Sequence, residues 1–122
     1  MPYTIEWETK GVYKRFFGTC SWEEHLRSSE EVIGNVRFDE IHYAINDLRD
    51  VEAYSAISSD QAEYSAAITR GASMSNPGLK IAFVTDDRRI RMLVRAAKVI
   101  SPYEIKIFAT LAEARSWCEL GD

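Results

Sequence analysis

Leu79-Lys80-Ile81-Ala82-Phe83-Val84-Thr85-Asp86-Asp87 is the stretch that decides how this chain folds. Its first seven residues are apolar almost throughout, with Lys80 the exception. That is the habit of a strand covered on both faces inside a parallel sheet. Asp86-Asp87 then offers a carboxylate to the bare amides of a helix start. Ile90, Leu93, Val94 and Ala97 follow at the spacing of a buried helical stripe. A strand that feeds a helix is half of a β-α-β unit.

The same grammar recurs on either side. Downstream, Ile105-Lys106-Ile107-Phe108 is a strand, and Thr110-Leu111-Ala112-Glu113 is a capping box that opens a helix with Leu111, Ala114, Trp117 and Cys118 facing inward. Upstream, Ile41, Tyr43 and Ile45 alternate as a strand, and a helix capped by Ser58 or Ser59 runs to Met74. In that helix Tyr64, Ala67, Ile68 and Gly71 form one face. Earlier still, Ser21-Trp22-Glu23-Glu24 is a second capping box, followed by Trp22, Leu26, Ser29 and Ile33 at helical spacing and a stop at Gly34-Asn35. Tyr3–Trp7 and Val12–Phe17 are strand-like runs joined at Thr9-Lys10-Gly11, a hairpin signal. The order is β-β-α-β-α-β-α-β-α. It predicts an α/β fold: a five-stranded, mostly parallel sheet with an N-terminal hairpin and helices packed on its faces.

Composition fits one domain, residues 1–122, of ordinary globular make-up: 46% hydrophobic, 28% charged and a net charge of −4. A negative balance gives no support to nucleic-acid binding, and no apolar run approaches the ~20 residues of a membrane span. Met1-Pro2-Tyr3-Thr4-Ile5-Glu6 lacks a basic region followed by an apolar core. The expectation is a cytoplasmic protein with Cys20 and Cys118 as reduced thiols. His25 and His42 have no Cys or His at ligand spacing, so both read as surface or half-buried residues, and neither metal nor cofactor is expected.

Three strings carry a resemblance: Tyr43-Ala44-Ile45-Asn46-Asp47-Leu48-Arg49-Asp50-Val51, Ile81-Ala82-Phe83-Val84-Thr85-Asp86-Asp87, and Ile107-Phe108-Ala109-Thr110-Leu111-Ala112-Glu113-Ala114-Arg115-Ser116-Trp117. With their spacing they resemble the SpoIIAA-like proteins, relatives of the STAS domain of anti-anti-sigma factors, some of which are grouped with the CRAL-TRIO lipid-binding fold. The resemblance covers about Ile5 to Trp117 and implies a fold, since none of the strings is a catalytic signature. Anti-anti-sigma factors carry a phosphorylatable Ser in an Asp-Ser-x-Gly string. The corresponding place here is Ser55-Ala56-Ile57-Ser58, where the acid and the Gly are absent and Ala56 holds the Ser position. A one-residue slip offers Ser55, but regulatory phosphorylation is not expected.

Ligands of such sheets sit beyond the carboxyl ends of the strands. Asn46-Asp47, Asp50 and Asp86-Asp87 fall there and could hold Mg²⁺ or share a proton. The stronger reading makes Asp86 or Asp87 a helix cap and Asp47 and Asp50 loop anchors. Arg88, Arg91, Arg95 and Lys98 form a basic stripe on the third helix. From Leu79 to Ala109 the net charge is +4, which leaves −8 for the rest. That stripe suits an acidic partner or a lipid head group, or is simply solvated. Ala62, Ser65, Ala66, Thr69 and Ser73 make a small-residue face suited to tight packing or to a helix-to-helix dimer contact. Asp47 to Ile57 reads as the one long loop, with Leu48, Val51, Tyr54 and Ile57 folding back on the core or lining a groove.

No glycine-rich phosphate loop, no nucleophile elbow and no convincing Cys20–His25 pair is present. The leading expectation is therefore a non-catalytic binding module, not an enzyme, that meets a protein partner or itself. Edge-strand amides offer one route to a homodimer. Its binding residues would be Asp47, Asp50, Tyr54, Asp86, Arg88, Arg91 and Arg95. The alternatives are a carrier of a small apolar ligand or lipid, and a small enzyme using Asp47 and Asp86. Phe16, Phe17, Tyr43, Phe83 and Phe108 are expected to fill the interior and leave a carrier little room.

Overall fold

A computed structural model describes residues 2–55 and 58–120 of the chain. The hairpin signal produces β1 (Tyr3–Trp7) antiparallel to β2 (Gly11–Cys20). Then follow α1 (Trp22–Ile33), a short 3-10 turn (Phe38–Glu40), β3 (Tyr43–Tyr54), α2 (Ser59–Ser75), β4 (Lys80–Val84), α3 (Arg88–Ile100), β5 (Glu104–Phe108) and α4 (Leu111–Leu120). The sheet order is β1-β2-β3-β4-β5, and every pair after the hairpin is parallel.

The caps form as the sequence demands. Ser21 and Glu24 exchange both bonds of a capping box, Asp87 accepts from the Arg89 and Ile90 amides, and Thr110 accepts from the Glu113 amide. Ser58, not Ser59, caps α2, in a box with Gln61.

Two expectations are overturned. The segment after Asp47 is not a loop: β3 runs on to Tyr54, paired through two register shifts with a β2 that extends to Cys20. Pairing with β4 stops at Asp47↔Val84, so beyond that point β3 has one neighbour and one open edge. An open edge collects Arg49, Asp50 and Glu52, and that composition imitates a loop. Gly18 absorbs an irregularity in this register with φ +69°, a conformation open to glycine. The second correction concerns α2, whose Tyr64, Ala67 and Gly71 are exposed. Its inward side is the small-residue stripe.

Sheet order explains the layers. Each crossover moves one strand further in the same direction, and crossovers share one hand, so α1, α2 and α3 fall on one face. Phe16, Leu48, Phe83 and Ile105 meet Ile90 and Val94 of α3 there, and Val12, Ala44 and Leu79 meet Val32 of α1 and Ala72 of α2. Past the last strand, α4 covers the other face, packing Ala114, Trp117 and Cys118 on Tyr43, Ile45, Ala82 and Val84.

Three helices then compete for one face. Successive crossovers step by about 4.8 Å, whereas packed helices stand about 8–10 Å apart. The middle helix is the one displaced. Ala72 is the only fully buried residue in the whole of α2, and a space is left beneath it.

Candidate functional site

That space is a cavity of about 260 Å³ between the sheet and the three helices. Leu26 and Val32 of α1, Leu93 and Ala97 of α3, and Ile81, Phe83 and Ile105 of the sheet form apolar walls. Ala62, Ser65, Ala66 and Thr69 roof it, at the i, i+3, i+4, i+7 spacing of one helical face. Their small side chains leave the room that larger ones would have filled. Phe83 is buried as expected but forms a wall and does not fill the interior, while Phe17 and Phe108 are only half-buried.

The floor is polar, for a reason of register. Lys14 pairs with Asn46, and Asn46 with Phe83, so the two polar residues sit side by side on the inward phase of β2 and β3. His25 of α1 lies over them, its ring 5.3 Å from that of Phe16, 5.7 Å from Phe83 and 4.8 Å from Trp22. Lys14, His25 and Asn46 are 3%, 7% and 2% exposed.

The Lys14 amine donates to the Ser28 hydroxyl at 3.1 Å and to Ser29 at 3.4 Å, and no carboxylate lies within ion-pair distance among the described residues. Burial pushes this amine down to about 7, against a partial lift from the charge of Glu31. Burial and the nearby Lys14 charge hold the His25 imidazole well below its ordinary value. Four buried side-chain atoms have no hydrogen-bond partner among the described residues: Trp22 Nε1, His25 Nδ1, Asn46 Oδ1 and Tyr103 Oη. All four belong to residues that line this one cavity. An orphaned buried polar atom costs about 1–3 kcal/mol, so their gathering in one place asks for a partner.

Of the seven binding residues anticipated from sequence none lines the cavity, whereas Asn46 and the small-residue face of α2 do. Asp47 points to the opposite face, 1% exposed, where it accepts from the Tyr13 hydroxyl and from Arg49 Nε and Nη2 at 2.9 and 2.8 Å. Burial tends to raise its pKa, but the bonds from Arg49 and Tyr13 prevail and lower it. Asp50 is exposed and paired with Arg15 at 3.0 Å. Tyr54 packs edge-on against Trp22, and burial raises its phenol. Asp86 is exposed beside the capping Asp87, and Ser55 is exposed just past β3. Ala56 and Ile57 lie outside the described residues. Arg88 and Arg95 are exposed, and Arg91 donates to the Thr85 carbonyl. At 100° per residue these three lie on the side of α3 turned away from Leu93, Ala97 and Ile100. Among the described residues no cluster of three His, Cys, Asp or Glu is placed to hold a metal.

Lys14 and His25 were missed as site residues, and Asn46 was named only beside Asp47 at the strand end. The signal was present: each is the polar member of an inward-facing apolar series, Val12-x-Lys14-x-Phe16, Ala44-x-Asn46-x-Leu48 and Trp22-x-x-His25-Leu26. His25 is not the surface or half-buried residue expected, because it occupies the buried stripe of its helix.

The likenesses to solved structures span nearly the whole chain. An uncharacterised Shewanella loihica protein with a SpoIIAA-like fold matches at 16% identity and a TM-score of 0.59, over 95% of this chain and 91% of that one. The unphosphorylated anti-sigma factor antagonist SpoIIAA matches at 15% and 0.58, over 93% of each chain. An anti-sigma factor antagonist from Mycobacterium paratuberculosis matches at 15% and 0.54, over 95% and 92%. No curated protein matches. The family model for SpoIIAA-like proteins matches residues 19–119, and the chain therefore belongs to the SpoIIAA-like family.

Proposed function

We propose that this chain is a non-catalytic binding module whose occupant is a small, largely apolar molecule held between the sheet and α1, α2 and α3. The observation that carries the reading is the cavity of about 260 Å³ with its apolar walls. It exceeds the ~150 Å³ of an engineered cavity that accepts benzene and falls just below the ~300–1,000 Å³ of common ligand sites. A molecule with a medium-length alkyl chain fits, and a two-chain membrane lipid does not. Calorimetric titration with decan-1-ol tests this. Saturable one-to-one binding is expected, lost in Ala66→Phe, which fills the roof. Absence of saturable binding in the wild type overturns it.

The basic stripe favours a second reading, an acidic protein partner. Arg88, Arg95 and Lys98 are exposed and join no ion pair among the described residues. Two of the structures this fold resembles are described as anti-sigma factor antagonists. The two readings use different sides of α3 and are compatible, since an occupant that shifts α3 would alter what its outer face presents. A pull-down with Arg88→Glu/Arg95→Glu against wild type tests the second: a partner retained equally by both removes it.

A further inference from the structure

We propose that the occupant carries an acidic head group, a carboxylate or an equivalent anion, which docks on Lys14 at the cavity floor with His25 and Asn46 beside it. This rests on the reading of the cavity as a ligand site and adds the chemistry of the ligand's polar end.

The argument starts from charge. Lys14 is a buried amine without a carboxylate partner among the described residues. A buried cation persists when something pairs with it. Ser28 and Ser29 already donate their hydroxyl protons to the His25 carbonyl and accept from Lys14, which leaves the amine one N–H without a partner. The other orphans are also donors, or convert to donors. Trp22 Nε1 is a donor only, Tyr103 Oη carries a proton, and His25 Nδ1 takes one in the other neutral tautomer. Asn46 Nδ2 donates a single long bond of 3.5 Å to the Ala82 carbonyl, and turning the amide over presents Nδ2 to the cavity in place of Oδ1 at the cost of that bond. The unpaired N–H of Lys14, with His25 and Asn46 beside it, selects an acceptor-rich group, and a carboxylate has two oxygens to offer. The apolar walls select the rest of the molecule.

The route in lies between α2 and α3. Tyr64 of α2 ties that helix to Glu30 of α1 at 2.8 Å, whereas no hydrogen bond or ion pair joins α2 to α3 among the described residues. On that side Ala96 and Ile100 line the cavity and are also exposed. A ligand entering there passes apolar side chains before its head meets Lys14.

Decanoate, decan-1-ol and decylamine differ in the head group and share the chain, and calorimetric titration of the full chain between pH 6 and 9 separates their contributions. Of the cavity-lining residues only Lys14, His25 and Tyr103 ionise, and α2, α3, β3 and β4 contribute no ionisable group. His25 stays neutral across the range and burial raises Tyr103 to about 12, while Glu31 of α1 is felt at the amine from outside the cavity. At pH 6 decanoate is expected to bind at least about tenfold tighter than decan-1-ol, and decylamine weakest. The preference should shrink by up to about tenfold per pH unit above 7 as the free amine loses its proton. Lys14→Met should lose the preference of decanoate over decan-1-ol. The pH profile of the wild type stands even if that variant folds poorly. If decan-1-ol binds as tightly as decanoate at pH 6, the head-group inference falls and the cavity reading survives. If none of the three binds, both fall.

Discussion

Gly11 shows how one atom sets a position in this fold. The Tyr43 ring lies flat over it, and a Cβ built at Gly11 would stand 2.2 Å from Tyr43 Cε1. Tyr43 cannot swing aside without giving up its hydroxyl bond to Glu8, whose carboxylate also holds Arg115 of α4 at 2.8 and 3.0 Å. Gly11→Ala should therefore cost about 1–3 kcal/mol, the range for overpacking, in urea unfolding. Gly71→Ala, in exposed helix with nothing within 4 Å, should gain about 0.4–1 kcal/mol. Equal effects from the two would remove the steric argument. The Glu8–Arg115 pair has a pH signature of its own. The Arg115 bonds hold Glu8 below its ordinary value, ahead of the opposing effect of burial. Its contribution is thus complete above the unfolded carboxylate value of ~4.3 and is lost as pH falls through the lower folded value. Arg115→Met should cost about 1–3 kcal/mol at pH 7, the range for hydrogen bonds to charged groups. The cost should shrink as pH falls below the unfolded carboxylate value, and a penalty independent of pH would show that the lost packing of the arginine stem dominates.

Among the elements, α2 is the least committed. Its N-terminus is well capped, yet Ala72 near the other end is its one buried residue, and Tyr64–Glu30 is a solvent-exposed tether. Few buried contacts make for cheap local opening. Amide hydrogen exchange should be faster in α2 than in α4, whose Ala114, Trp117 and Cys118 are buried. A bound occupant should slow α2 selectively. Uniform protection across the four helices would mean that α2 does not act as a roof. The elements themselves were largely legible because the caps are written into the sequence at Ser21, Ser58, Asp87 and Thr110. Two things were not. Periodicity marks both Tyr64-Ala67-Ile68-Gly71 and Ala62-Ser65-Ala66-Thr69 as faces, and nothing local says which turns inward. The second half of β3 owes its strand state to the long β2 beside it, a non-local cause that its charged residues conceal.

At the scale of the molecule, a strand order that advances in one direction crowds three helices over one face, and the cavity is the geometric remainder. The order was not readable from the elements, so neither was the cavity; the polar floor follows only once Lys14 and Asn46 are known to be neighbours. That floor leaves a thermodynamic mark on the whole chain. The Lys14 amine titrates near 7 when folded and near ~10.4 when unfolded. Between those values the unfolded chain binds the extra proton, so this residue makes stability rise with pH. Burial lifts the thiols of Cys20 and Cys118 to about 11, above the ordinary ~8.5, so above that value they pull the other way. The raw stability curve mixes the two. Subtracting the curve of Lys14→Met cancels the thiols and leaves the amine together with the His25 titration that its charge perturbs. In urea unfolding from pH 6 to 9.5 the variant should be the more stable protein at pH 6, by several kcal/mol at most. Its advantage should shrink above pH 7 at up to about 1.4 kcal/mol per pH unit. Two curves that run parallel would place the amine's folded pKa close to its unfolded one and would remove the electrostatic ground for an acidic ligand.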